Sequence, residues 1–81
     1  MLDELNTADK VVGTRRLVKA IAAGQIKRAY VARDADLFIT RQVTDLCEQM
    51  RVPVIEVQSM KALGEACGVD VKTAAAGIKR A

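Results

Sequence analysis

Gly13, Thr14, Arg15, Arg16 and Lys19 are the residues of this chain whose types and spacing most plainly suggest chemistry. Two valines precede the glycine and a helical pattern follows it, so the stretch reads as a strand end turning into a helix. A helix N-terminus carries partial positive charge from N–H groups without intrahelical partners, and arginines there are locally unfavourable. An anion above them reverses that sign. Exposed N–H groups, the Thr14 hydroxyl and two guanidiniums would cradle a phosphate, with Lys19 one turn further on. On this stretch alone, a solvated basic face with no ligand is an equally good account.

Catalytic chemistry has less to draw on. The chain has no histidine, so the commonest general base is missing, and no Ser-x-x-Lys, Walker-type glycine loop or metal-ligand cluster is present. Asp34 and Asp36 invite a paired-carboxylate reading, but a turn and a helix cap explain both residues more simply. Cys47 and Cys67 each fall on the apolar side of a helical pattern, which predicts buried free thiols rather than a disulfide or a metal site. Cys67 also stands beside a helix C-terminus, where partial negative charge disfavours its thiolate. No enzymatic activity, cofactor, metal or small-molecule substrate is expected.

At 81 residues the chain predicts a single domain, near the size at which one core is only just sufficient. Apolar residues make up 51% of it, mostly Ala, Val, Leu and Ile, and Tyr30 and Phe38 are the sole aromatics. A binding mode built on aromatic stacking platforms is therefore disfavoured. The net charge is +3, and its distribution matters more than its total. Between Asp9 and Asp34 lie Lys10, Arg15, Arg16, Lys19, Lys27, Arg28 and Arg33 with no acid among them, the kind of stripe that nucleic-acid binders carry. No signal peptide, membrane-spanning apolar run or lipidation signature is seen, which predicts a cytoplasmic protein, and a monomer is expected.

Residues 1–8 suggest a short helix with Leu2 and Leu5 on one side, and Val11 and Val12 an edge strand. Leu17, Val18, Ile21 and Ala22 form a helical stripe that Gly24 ends in a left-handed conformation. Ala29 to Ala32 lie in a strand over 28–33, apolar enough to be covered on both faces. The turn Asp34-Ala35-Asp36 leads, with Asp36 as N-cap, into a helix whose Ile39, Val43, Leu46, Cys47 and Met50 face inward and whose Arg41, Thr44, Asp45 and Glu48 face out. Pro53 opens a strand of Val54, Ile55 and Val57. Ser59 caps a short helix with Met60, Leu63 and Cys67 inward, ended by Gly68. Gly64 within it costs about 1 kcal/mol relative to Ala, so a strand or a ligand should approach its backbone closely. Residues 73–78 complete the pattern as a strand, although helix propensity suits Ala74–Ala76 equally. Strands alternating with helices predict a largely parallel sheet with helices on both faces.

Four pieces then stand in order: Gly13-Thr14-x-x-x-x-Lys19, Val31-Ala32-x-Asp34-x-Asp36, Leu63-Gly64-x-Ala66-Cys67-Gly68-Val69-x-Val71, and Ala74-Ala75-Ala76. From Val11 to Ile78 the chain resembles the ribosomal protein L7Ae and L30e family of kink-turn RNA-binding proteins, in particular its small bacterial YbxF-like branch. The resemblance implies an α/β fold, a three-layer α/β/α sandwich on a four-stranded mixed sheet whose last strand is antiparallel to its neighbours. It also implies a structured, possibly ribosomal, RNA partner containing a kink-turn, a bent duplex with tandem sheared G·A pairs. By position, Gly13, Thr14, Arg15, Arg16 and Lys19 would contact those pairs, and Val69, Asp70 and Val71 would cover an extruded nucleotide. Many archaeal and eukaryotic members carry Asn-Glu where this chain has Arg15-Arg16. A guanidinium only donates hydrogen bonds, so the pattern read here must differ, although Arg still recognises guanine N7 and O6. Leu37 replaces a frequent proline, and Gly77 falls inside the final strand. The alternative reading is a protein-interaction or scaffold subunit whose basic stripe docks on an acidic partner.

Overall fold

The computed structural model describes residues 4–7 and 9–80. Its elements in chain order are α1 (Glu4–Thr7), β1 (Lys10–Val12), α2 (Thr14–Ala22), β2 (Ile26–Ala32), α3 (Leu37–Met50), β3 (Val54–Val57), α4 (Met60–Cys67) and β4 (Ala75–Lys79). The unbroken apolar run of β2 puts it inside the sheet. Its alternate residues divide between two cores, as the pleat of a strand requires. Ala29 and Val31 join Leu17, Ile21, Val43 and Cys47 beneath α2 and α3. Tyr30 and Ala32 join Leu5, Leu63, Cys67 and Ile78 beneath α1 and α4. Leu2, expected beside Leu5, lies outside the described residues.

The strand order is β1-β4-β2-β3, and the sheet is mixed. β2 and β3 pair in parallel, while β4 runs antiparallel to both β1 and β2. The largely parallel sheet predicted from alternation alone is thus corrected. The cause lies after α4. Instead of crossing the sheet, the chain doubles back along this eight-residue helix, and Thr73 N–H reaches the carbonyl of Met60 at the helix start (3.1 Å). β4 therefore enters from the end at which β2 and β3 finish. Gly64 allows this, because a Cβ there would collide with the carbonyl of Val71. The close approach predicted for Gly64 is made by neither a strand nor a ligand but by this returning loop.

Gly77 has a comparable role in β4, where a Cβ would lie 2.5 Å from Leu17 Cδ1. The glycine lets α2 press against the sheet. The helical stripes shift slightly from expectation. In α2 it is Ala20 that is buried with Leu17 and Ile21, and Ala22 faces solvent. In α3, Val43 and Cys47 are buried but Ile39 and Met50 are exposed, Ile39 because an open cavity separates it from α2 and Met50 because it is the last residue of the helix. β2 begins at Ile26, ahead of the predicted boundary, and Thr73 and Ala74 belong to the loop before β4. Asp36 caps α3 through Phe38 N–H (2.8 Å), Ser59 caps α4 through Ala62 N–H (3.0 Å), and Gly24 and Gly68 adopt the expected positive φ.

Candidate nucleic-acid interface

Gly13 turns β1 into α2 with φ 103° and ψ 140°, a region that side chains other than glycine adopt only under strain. A Cβ on Gly13 would meet no atom within 4 Å, so conformation rather than space selects glycine. Its N–H donates to the Ala75 carbonyl (3.1 Å) and its carbonyl accepts from Leu17 N–H (3.0 Å). No side chain caps α2 and no acid occupies its first turn. The donors of that turn therefore face outward beside the exposed Arg15 and Arg16, with Thr14 half-buried and Lys19 exposed one turn on. Between α2 and α3 opens a cavity of about 510 Å³, with Thr14, Arg15, Val18, Lys19, Ile39 and Gln42 in its lining.

The loop from Val69 to Thr73 is held by its return along α4. Val69 N–H donates to the Gly64 carbonyl (3.0 Å) and Thr73 N–H to that of Met60. Val69 packs against the core beneath α4, whereas Val71 is 68% exposed beside an exposed Asp70. A hollow of about 360 Å³ adjoins them, bordered by Lys61, Glu65 and Lys72. Because Gly13 bonds Ala75 and Ala32 N–H bonds the Ala74 carbonyl (2.9 Å), the start of α2 and this loop meet at one end of the sheet. Asp34 ties in the third element there, accepting from Met60 N–H at 2.7 Å.

The family model of the "Ribosomal protein L7Ae/L30e/S12e/Gadd45 family" matches residues 2–81. The chain belongs to this family. It is 40% identical over 77 residues to an "RNA-binding protein" of Bacillus pumilus (strain SAFR-032), covering 94% of each chain. It is 43% identical over 70 residues to "RNA-binding protein YbxF" of Geobacillus stearothermophilus, covering 86% of this chain and 85% of the relative. Among solved structures, the "15.5kD RNA binding protein" of Giardia lamblia superposes with a TM-score of 0.92 at 28% identity, covering 99% of this chain and 71% of that one.

Within this L7Ae-family fold the remaining candidates sort by burial. Asp34 and Asp36 are spent on backbone N–H groups. Burial pushes both the Cys47 and the Cys67 thiols up from their ordinary value, and the charge of Lys10 pulls Cys67 part of the way back. Among the described residues no cluster of His, Cys, Asp and Glu could hold a metal ion, and no helix is long and apolar enough to cross a membrane. The sequence reading missed Lys61 and Lys72 beside the loop, and the exposed Leu37 and Phe38 at the start of α3. The last two were visible as apolar residues off the α3 stripe. The lysines had no signal in the sequence, because only the doubled-back loop brings them together.

Proposed function

We propose that this chain is a non-catalytic RNA-binding protein that recognises a kink-turn in structured RNA, with ribosomal RNA as a natural target in the cytoplasm. The observation that carries the reading is the start of α2: a glycine turn with open donors, no cap, and two exposed arginines at the same end of the sheet as an exposed valine on a clamped loop. The names of the bacterial and Giardia relatives support RNA as the partner. In this mechanism the first-turn N–H groups and Lys19 hold phosphate, and Arg15 and Arg16 donate to guanine N7 and O6 in the widened groove. Val71 packs on the extruded base, while Val69 holds the loop to the core.

The test is binding to a kink-turn RNA and to a straight duplex of equal length. The parent protein should prefer the kinked RNA. Arg16→Glu should weaken that complex by about 1–3 kcal/mol while the melting temperature holds. Val71→Ser should erode the preference for kinked RNA without changing the salt dependence, since no phosphate contact is lost. A parent protein that binds both RNAs alike overturns the reading.

A further inference from the structure

A second basic feature lies around the far side of α2, outside the residues that the kink-turn reading uses for the extruded base. We infer that RNA bound at the start of α2 continues along the free edge of β1, where a cleft holds phosphates of an adjoining stem. The inference rests on the RNA reading above and extends it from the shared Arg16 and Lys19 to Lys10 and Lys79.

The cleft encloses about 510 Å³ between α2 and the edge of the sheet. Among the described residues, four cations line it, Lys10, Arg16, Lys19 and Lys79, and no acid does. Among the described residues none of the four forms an ion pair, and Asp9, the acid nearest in sequence, is not part of the lining. Arg16, Lys19 and Lys79 stand on the α2 side of the sheet and repel one another, and an anion within the cleft removes that cost. Lys10 shares the opposite side of β1 with Val12 and reaches the cleft from the strand edge. The backbone contributes as well. Asp9 and Gly13 spend their carbonyl and N–H on β4, at 3.0 Å to Lys79 N–H and 3.1 Å to the Ala75 carbonyl. Along an antiparallel edge strand the alternate residues, Lys10 and Val12, therefore turn their N–H groups outward, as donors for phosphate oxygens.

The cleft is also continuous with the proposed RNA face. Arg16 and Lys19 belong to both, and from them α2 leads back toward Lys79 over a helix about 13 Å long at 1.5 Å per residue. The far end is fixed in place, since Gln25 N–H bonds the Ala20 carbonyl (3.0 Å) and Arg80 N–H bonds that of Gln25 (2.8 Å). An acidic peptide added as a further strand fits less well, because β1 has only three residues to offer it.

The experiment measures affinity across a salt series for a kink-turn RNA with long flanking stems and for the same RNA trimmed to the kink. The proteins compared are the parent and Lys10→Gln/Lys79→Gln, neither position being part of the kink contact. On the long-stem RNA the double variant should lower the salt slope by roughly two, at ~0.9 per phosphate contact. On the trimmed RNA, parent and variant should coincide. Lys79→Gln alone, at an exposed position, should lower the slope by about one, which keeps the test readable should the double variant be unstable. Identical slopes for parent and variants on long-stem RNA overturn the inference, as does an equal loss on both RNAs. Binding of polyglutamate that the same variants abolish, with RNA slopes unchanged, overturns it in favour of a protein partner. A parent protein with no preference for kinked RNA refutes the kink-turn reading instead. The slope difference on straight duplex then decides the cleft: a drop supports it, and equal slopes overturn it.

Discussion

α4 starts with its donors satisfied from two directions: Ser59 Oγ accepts from Ala62 N–H, and Asp34 Oδ1, reaching across from the end of β2, accepts from Met60 N–H. α2 starts with a glycine that has no side chain to offer, followed by two arginines. The two helix starts meet at the same end of the sheet, yet one is closed by its own protein and the other is left open. In the first, local hydrogen bonds are spent on holding the chain in place, and the returning loop is seated on Gly64 as a result. In the second, the same kind of donor is kept available for a ligand, at some cost to the free helix. One half of the candidate surface thus offers a fixed shape and the other offers charge and unsatisfied donors.

The largest effect expected on the closed side comes from Gly64→Ala. The added methyl takes the place of the Val71 carbonyl, and such overpacking should lower stability by about 1–3 kcal/mol in denaturant titration. An unchanged midpoint would mean that the loop is not clamped there. Asp34→Ala should cost about 1 kcal/mol, the usual effect of losing a helix-cap acceptor. Asp34→Asn, which keeps an acceptor, should recover part of it. The open side predicts the opposite sign. Arg15→Glu places a carboxylate at the uncapped helix start and should raise stability by about 0.3–1 kcal/mol while weakening RNA binding. If stability and RNA affinity fell together, the arginine would be structural and the contrast between the two helix starts would fail.

The smallest effect separates the two cores rather than the two helix starts. Burial raises both thiols, so the folded protein favours their neutral forms. Their contribution is fully present below the ordinary thiol value of 9.0 and is lost as pH rises through the raised folded value, because the unfolded chain releases its protons first. Cys67 is pulled back by Lys10 and Cys47 is not. Cys47→Ala should therefore flatten the alkaline decline in melting temperature more than Cys67→Ala does. Equal flattening would remove the influence assigned to Lys10.

Much of this was legible in the sequence because it is written locally. The Gly13 turn, the Asp36 and Ser59 caps, the Gly24 and Gly68 stops and the inward placement of Val43, Cys47 and Leu63 follow from residue type and period. The direction of β4 was not legible from alternation, since it depends on the chain retracing α4, and that depends on a backbone contact between Gly64 and Val71. The resemblance supplied that direction where the pattern did not. At the candidate site, Arg15, Arg16, Lys19 and Val71 are exposed. Val69 and Val71, which look alike in sequence, part company because only Val69 packs against the core beneath α4. The bond from Asp34 to Met60 spans two elements and has no local signature.

The place of β4 between β1 and β2 also governs when this molecule can come together. Lys10 pairs with Ile78, almost the whole described chain away, so β1 has no partner until the last strand has left the ribosome. A nascent chain ending before Ala75 retains only the β2–β3 pairing, and a two-stranded unit is at best marginal in water. Tyr30 and Leu63 then have no completed layer to bury them. Folding is consequently late and largely all-or-none, dominated by long loop closures that slow it. A chain truncated near its end loses the centre of the sheet rather than its margin.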